Sequence, residues 1–192
     1  MRNGSKYSRA ATTAIFAVML SLLLPCSCRD YRVGRRMKAM MENPIVIPER
    51  LSTAWRDTVI TGSVALCHPL LVIHVDSSYC STCVIPKLNR YSPLYAQSLS
   101  EGTFRLAVII SSPHGEARHI CHQVELHHFD FPVYVDLENE FDLLNPSIPS
   151  DRRFHGFLTD SLGRPRFIGD PTANEHLMKI FNEVLKSEDK TK

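Results

Sequence analysis

Charge of one sign is what this 192-residue sequence has least of: 22 Lys and Arg stand against 20 Asp and Glu, a formal net charge of +2. So small an imbalance gives no electrostatic footprint for nucleic acid, whose binding rests on clustered cations. Glycine, at 8 residues, is too scarce for a collagen-like chain. The six cysteines are only about 3% of the residues. They do not define a disulfide scaffold in a chain long enough to bury a real core. No internal repeat, no flavin or nicotinamide motif and no structural zinc spacing is visible. What remains is a composition of 44% apolar and 22% charged residues. That balance excludes a fully disordered chain and a multi-span membrane protein. The length fits one domain.

The N-terminus is basic and then apolar. Arg2, Lys6 and Arg9 precede the run Ala10 to Leu24. This is a positive n-region and an h-region of signal-peptide length, short of the ~20 apolar residues a spanning helix needs. Pro25-Cys26-Ser27-Cys28 follows. A cysteine after a leucine-rich h-region and a small residue resembles a bacterial lipoprotein signal, in which the cysteine is lipidated. Cys28, preceded by the small Ser27, fits better than Cys26, preceded by Pro25. Cleavage before Cys28 removes Arg2, Lys6 and Arg9, leaving 19 Lys and Arg against 20 Asp and Glu and a mature charge of −1. The expected layout is a signal peptide over 1–27, a tether over 28–45, a folded domain over 46–187 and a polar tail over 188–192. The expected location is the bacterial cell envelope, lipid-anchored and outside the cytosol, where disulfides persist.

Along the mature chain, Arg29 to Asn43 is charged and contains Met37, Met40 and Met41, a tether or short helix. Asn43 to Pro48 reads as an edge strand bounded by prolines. Leu70-Leu71-Val72-Ile73-His74-Val75 is a nearly continuous β-branched run, the pattern of a strand buried on both faces. Cys83 to about Leu99 reads as a helix, with Pro86 tolerated in its first turn and Pro93 expected to kink or break it. Phe104 to Ser111 is a second buried strand, Gly115 to about His127 a helix, Phe131 to Asp136 a strand and Glu140 to Leu144 a short helix. His155–Asp160 and Arg166–Gly169 form a hairpin, and Ala173 to Lys186 an amphipathic helix. This order predicts an α/β fold, a mixed sheet with helices on both faces.

Chemistry concentrates at Cys80-Ser81-Thr82-Cys83, between a buried strand and a helix. A helix N-terminus offers unpaired N–H groups and a positive dipole end, which lower a thiol pKa from about 8.5. A second cysteine two intervening residues away then resolves a mixed disulfide on the first. This strand–CxxC–helix context resembles the thioredoxin-like fold, and within it the extracytoplasmic TlpA-like lipoprotein redoxins. Gly156-Phe157-Leu158-Thr159-Asp160 and the turn glycine after it resemble a further stretch of that family. The resemblance covers residues 64–186. It implies that Cys80 is the nucleophile and Cys83 the resolving cysteine. It also points to His74, six residues before Cys80, where the family often carries a buried acid that serves the resolving thiol; histidine is able to act as that base. A packed strand histidine is the alternative. The implied partners are disulfide- or dithiol-containing envelope proteins and a recycling redox protein, with no cofactor and no metal.

Three departures accompany the resemblance. Tyr79 precedes the motif where tryptophan is common. Ser81-Thr82 stands where reducing thioredoxins have Gly-Pro. The cis-proline that the family places before the Phe157-Leu158 strand falls at Phe154 here, and the nearest proline is Pro149. Loss of that proline would open the alternative of a copper- or zinc-binding lipoprotein, with Cys80, Cys83 and a histidine as ligands. His114, His119, Cys121, His122, His127 and His128 form a histidine-rich stretch, read first as a solvated helix. A third reading is a non-catalytic envelope module with Cys80–Cys83 as a stabilising disulfide. Cys67 and Cys121 are structural thiols or a pair. Arg152 and Arg153 lie on the presumed active-site side.

Overall fold

The computed structural model describes residues 31–55, 58–63, 66, 69–78, 81–112 and 116–189. The signal peptide, the lipidation candidates Cys26 and Cys28, and Cys67, Tyr79, Cys80 and His114 lie outside the described residues. The chain divides into a unit over Met1–Lys38 and a unit over Ala39–Lys192. In the first, the described residues 31–38 are helical, within a helix (α1) over residues 31–42.

The second unit is α/β. Its sheet has seven strands: β1 (Arg50–Trp55), β2 (Thr58–Ser63), β3 (Leu70–Val75), β4 (Arg105–Ser111), β5 (Val133–Asp136), β6 (Gly156–Thr159) and β7 (Pro165–Ile168). They lie in the order β2-β1-β5-β4-β3-β6-β7. β3, β4 and β5 run parallel, while β6 is antiparallel to β3 and the hairpin partners β1/β2 and β6/β7 are antiparallel. The helices are α2 (Ser81–Val84), α3 (Ser92–Glu101), α4 (Ala117–Leu126), α5 (Glu140–Leu144) and α6 (Glu175–Asp189), with a 3-10 helix over Ile85–Tyr91 between α2 and α3.

Every residue of β3 is buried, as a strand with neighbours on both edges and both faces requires. Alternation then sorts its side chains. Leu71, Ile73 and Val75 join a core with Leu106, Val108 and Ile110 of β4, and with Leu88, Leu94, Ile120, Val124, Phe181 and Leu185 from the helices. Two consecutive parallel steps in one direction, β3 to β4 to β5, put both crossover helices on that side when each crossover is right-handed. The opposite parity, Val72 and His74 with Ile109 and Ser111, faces α5, whose Phe141 ring lies 4.5 Å from the His74 ring centroid. Helical segments therefore cover both faces, the second by α5.

Local departures from the sequence pattern have local causes. Pro86 and Pro93 each sit at the first or second position of a new helical segment, the 3-10 helix and α3. Proline lacks the N–H that such positions leave unused, so the helix is re-set at each proline and continues to Glu101. Residues 44–48 form no strand. Ile45 N–H donates to Gly163 O, and Val46 is held by the Asn145 side chain through both its N–H and its C=O, each at 2.8 Å. Met40, Ile45 and Pro48 are buried, so the folded unit takes in residues assigned to the tether by composition. Asp189 is still helical, three residues beyond the amphipathic pattern.

Candidate functional site

β3 ends in a turn in which the Asp76 carboxylate accepts the Ser78 N–H at 2.6 Å. Burial pushes the Asp76 carboxyl up, but the Ser78 bonds and then the His155 and His74 rings outweigh it and hold it below the usual range. Helical backbone resumes at Ser81, and Cys83 in this first turn is exposed. The predicted resolving cysteine is therefore solvent-accessible and follows the central strand directly, while its predicted partner Cys80 lies just outside the described residues.

His74 is buried at 3% exposure on β3. Its Nε2 is 2.9 Å from Ser111 Oγ and 3.8 Å from Asp142 Oδ1. Its Nδ1 has no hydrogen-bond partner among the described residues. The ring packs on Phe141 and lies 5.3 Å from the His155 ring. Burial above all, then repulsion from His155, lowers the imidazole from 6.5 to about 3, against a pull upward from Asp76. His74 is thus neutral at ordinary pH: one ring nitrogen carries the hydrogen and the other a lone pair. Asp142 is pushed the other way. Burial and the Asp76 carboxylate raise its carboxyl, with Asp136 adding to the rise and His155 opposing it.

α5 is held in place from the sheet. Asp136, at the end of β5 and fully buried, accepts the Glu140 and Phe141 N–H groups at 3.1 and 2.8 Å. It caps α5 in place of Asn139, whose φ of 55° is left-handed and whose side chain makes no cap bond. The same contact fixes Phe141 over His74 and Asp142 beside it.

The residue directly before β6 is His155. Its carbonyl accepts the His74 N–H at 2.8 Å, and its ring Nε2 is 3.0 Å from Pro149 O. Pro149 therefore meets this loop through its carbonyl, six residues ahead of His155, and the buried Phe154 occupies the place where the family resemblance sets a proline. Gly156 follows because nothing larger fits: a Cβ there would lie 2.7 Å from Gly169 O. His74, His155 and Gly156 line a cavity of about 280 Å3 together with Val84, Lys87, Arg90, Tyr91, Arg152 and Asp170 among others. Arg90 Nη2 and Tyr91 OH both donate to Asp170 Oδ2, at 2.7 and 2.8 Å. Burial, with the Asp170 charge, holds the Tyr91 phenol well above its ordinary range.

Of the two arginines singled out beside the site, Arg152 lines the cavity and Arg153 is bound to the Asp151 carboxylate at 2.7 Å. Cys121 is half-buried on α4, and burial and then Glu125 push its thiol up, so it is a poor nucleophile at neutral pH. His119 and His122 are exposed on the same helix. Among the described residues no three His, Cys, Asp or Glu side chains converge as a metal site. Ser111, Asp142, His155, Lys87 and Asp170 were not singled out from the sequence. They come from five separate segments, and no local spacing announces them. No protein-family model matches the chain. No curated protein matches it in sequence either.

Proposed function

We propose that this chain is a lipid-anchored, extracytoplasmic thiol–disulfide oxidoreductase of the thioredoxin-like class. The observation that carries the reading is the placement of Cys83: exposed in the first helical turn after the central buried strand, with His74 buried on that strand. The parallel β3–β4 pair joined by that helix and the antiparallel β6–β7 hairpin beside β3 are the parts such a fold requires.

The exchange proceeds in two displacements. The Cys80 thiolate attacks one sulfur of a partner's disulfide, forms a mixed disulfide and expels the partner's other sulfur as thiolate. Cys83 then gives up its proton and attacks the Cys80 sulfur, releasing the partner's second thiolate and leaving a Cys80–Cys83 disulfide. The partner gains two electrons, and a second dithiol protein restores the pair. A neutral His74 serves as a proton relay, accepting on one ring nitrogen while releasing from the other, without a lasting charge in the core.

A Cys83→Ser variant should accumulate a mixed disulfide with an insulin disulfide or with envelope proteins. The unaltered chain should reduce insulin when a dithiol reductant is supplied. A Cys83→Ser protein that traps nothing, together with an unaltered chain that leaves insulin oxidised, would overturn the assignment. Membrane partitioning that persists after Cys28→Ala and Cys26→Ala would overturn the lipid anchor.

A further inference from the structure

The near-neutral charge of the chain conceals a segregation. Residues 29–38, directly after the lipidation candidate Cys28, hold five Lys and Arg (Arg29, Arg32, Arg35, Arg36 and Lys38) against one acid, Asp30. Residues 39–192 hold 14 Lys and Arg against 19 Asp and Glu. The short segment is therefore +4 and the remainder −5. The described part of the segment is helical, within α1. Val33, Met37 and Met40 recur at steps of four and three residues, which puts them on one face. Val33 and Met37 are half-buried and Met40 is buried. Arg32, Arg35 and Arg36 are exposed, as is Tyr31 at 70%. Lys38 and Glu42 already have partners, so the open charge of this helix is that of the three arginines.

We propose that this basic face of α1 docks on a membrane surface of anionic lipid headgroups. Docking rests on the lipid anchor proposed above and is independent of thiol exchange. Chain length sets the reach: the three residues from Cys28 to Tyr31 span at most about 11 Å when fully extended, close to the Debye length of about 8 Å at physiological salt. A lipidated Cys28 thus keeps the arginines where the surface potential acts. Each cation held there multiplies the docked population by roughly fivefold, and three together by on the order of a hundredfold. The exposed Tyr31 suits the same boundary, where an aromatic ring meets apolar matter and its hydroxyl stays wet. An acidic protein would have to compete with a surface tethered to the helix and so present at high effective concentration. The same surface repels the acidic remainder of the chain.

The test uses the full chain carrying Tyr31→Trp and Trp55→Phe, so that one tryptophan reports on α1. Vesicles of phosphatidylcholine, alone or mixed with phosphatidylglycerol, carry a small share of lipid with a nitroxide on its headgroup. Flotation with phosphatidylcholine alone reads the anchor, and nitroxide quenching of the tryptophan reads docking. Quenching should be stronger with phosphatidylglycerol and should fall as salt is raised. Arg32→Gln with Arg35→Gln and Arg36→Gln should bring it to the phosphatidylcholine level with flotation unchanged; glutamine keeps a similar helix propensity. A chain that does not float on phosphatidylcholine lacks the anchor, which overturns that reading alone. Binding of such a chain to phosphatidylglycerol vesicles, lost in the triple replacement, would still support docking, and its absence would overturn it. Equal quenching in the two kinds of vesicle, or quenching that survives the triple replacement, would overturn the proposal. So would quenching relieved by polyglutamate at a carboxylate concentration equal to that of lipid phosphate, which would assign the face to an acidic protein.

Discussion

At the scale of single residues, the buried His74 gives the fold a pH dependence. Its imidazole falls from 6.5 to about 3 on folding because burial, and after it His155, disfavours the charged form. In the unfolded chain the same group titrates near 6.5. Below that pH the unfolded state therefore binds a proton that the folded state refuses. The stability attached to this group is complete above about pH 6.5, declines by about 1.4 kcal/mol per pH unit as the medium is acidified, and is lost once pH passes the folded value. Urea titrations between pH 7 and 4 should show that slope in the unaltered chain and lose it in His74→Phe. An identical slope in the two would place the sensitivity elsewhere. Ser111→Ala removes the 2.9 Å bond to Nε2 and leaves a buried ring without its hydrogen-bond partner. A loss of about 1–3 kcal/mol is expected, readable as a lower urea midpoint at unchanged m. His74 stood out in the sequence through the family resemblance, because it lies six residues before Cys80, where that family often carries a buried acid. Ser111 did not, since a serine at a strand end looks like any other, and only the pairing of β3 with β4 brings the two together.

At the scale of elements, α5 is a five-residue helix held by Asp136 and Asn145. A helix so short has little stability of its own, so its position depends on those side chains. Asp136→Ala should cost about 1–3 kcal/mol by leaving two N–H groups uncapped in a buried place. It should also raise hydrogen exchange across 140–145 before it affects β4. Asp136→Asn keeps an acceptor and should cost less; equal losses in the two variants would argue that bulk rather than capping matters. A second test lies at the β6–β7 hairpin. Gly156→Ala places a Cβ 2.7 Å from Gly169 O and 3.1 Å from Asp170 Cα. Backbone on both counts cannot yield as a flexible side chain would, so destabilisation of about 1–3 kcal/mol is expected in thermal or urea melts. The order of elements from β3 onward was readable in the sequence, because long apolar runs alternate there with helical periodicity. β1 and β2 were not readable. Leu51, Ser52 and Ala54 are buried in a strand without a clear apolar run, and its pairing with β2 and β5 makes it one. The segment 43–48 was misread for the converse reason: its Pro44 and Pro48 flank residues of strand composition, but Gly163 and Asn145 supply its hydrogen bonds instead of a neighbouring strand.

At the scale of the whole molecule, the sheet order sets a gradient of stability. β3 has β4 on one edge and β6 on the other, every side chain is buried, and its carboxyl end carries the site. β2 pairs with β1 alone, at one end of the sheet. An amide in β3 exchanges only when the core opens, whereas one in β2 needs only the terminal hairpin to separate. The apolar clusters agree with this ranking: Leu71, Ile73 and Val75 meet Leu106, Val108 and Ile110 in the core, while β1 contributes Ala54 alone to it. Native-state hydrogen exchange should therefore find β3 and β4 opening at the free energy of global unfolding. The β1–β2 hairpin should open at a lower one, with α5 between them because it rests on Asp136 and Asn145 and not on a ladder. The gradient has a consequence for the site. His74 and Ser111 stand on the most stable pair of strands, Asp142 on the intermediate helix, so acidification or Asp136→Ala should disturb the Asp142 side of His74 first. If α5 amides exchanged together with those of β3 in both the unaltered chain and Asp136→Ala, α5 would be part of the rigid core and Asp136 would not be what places it.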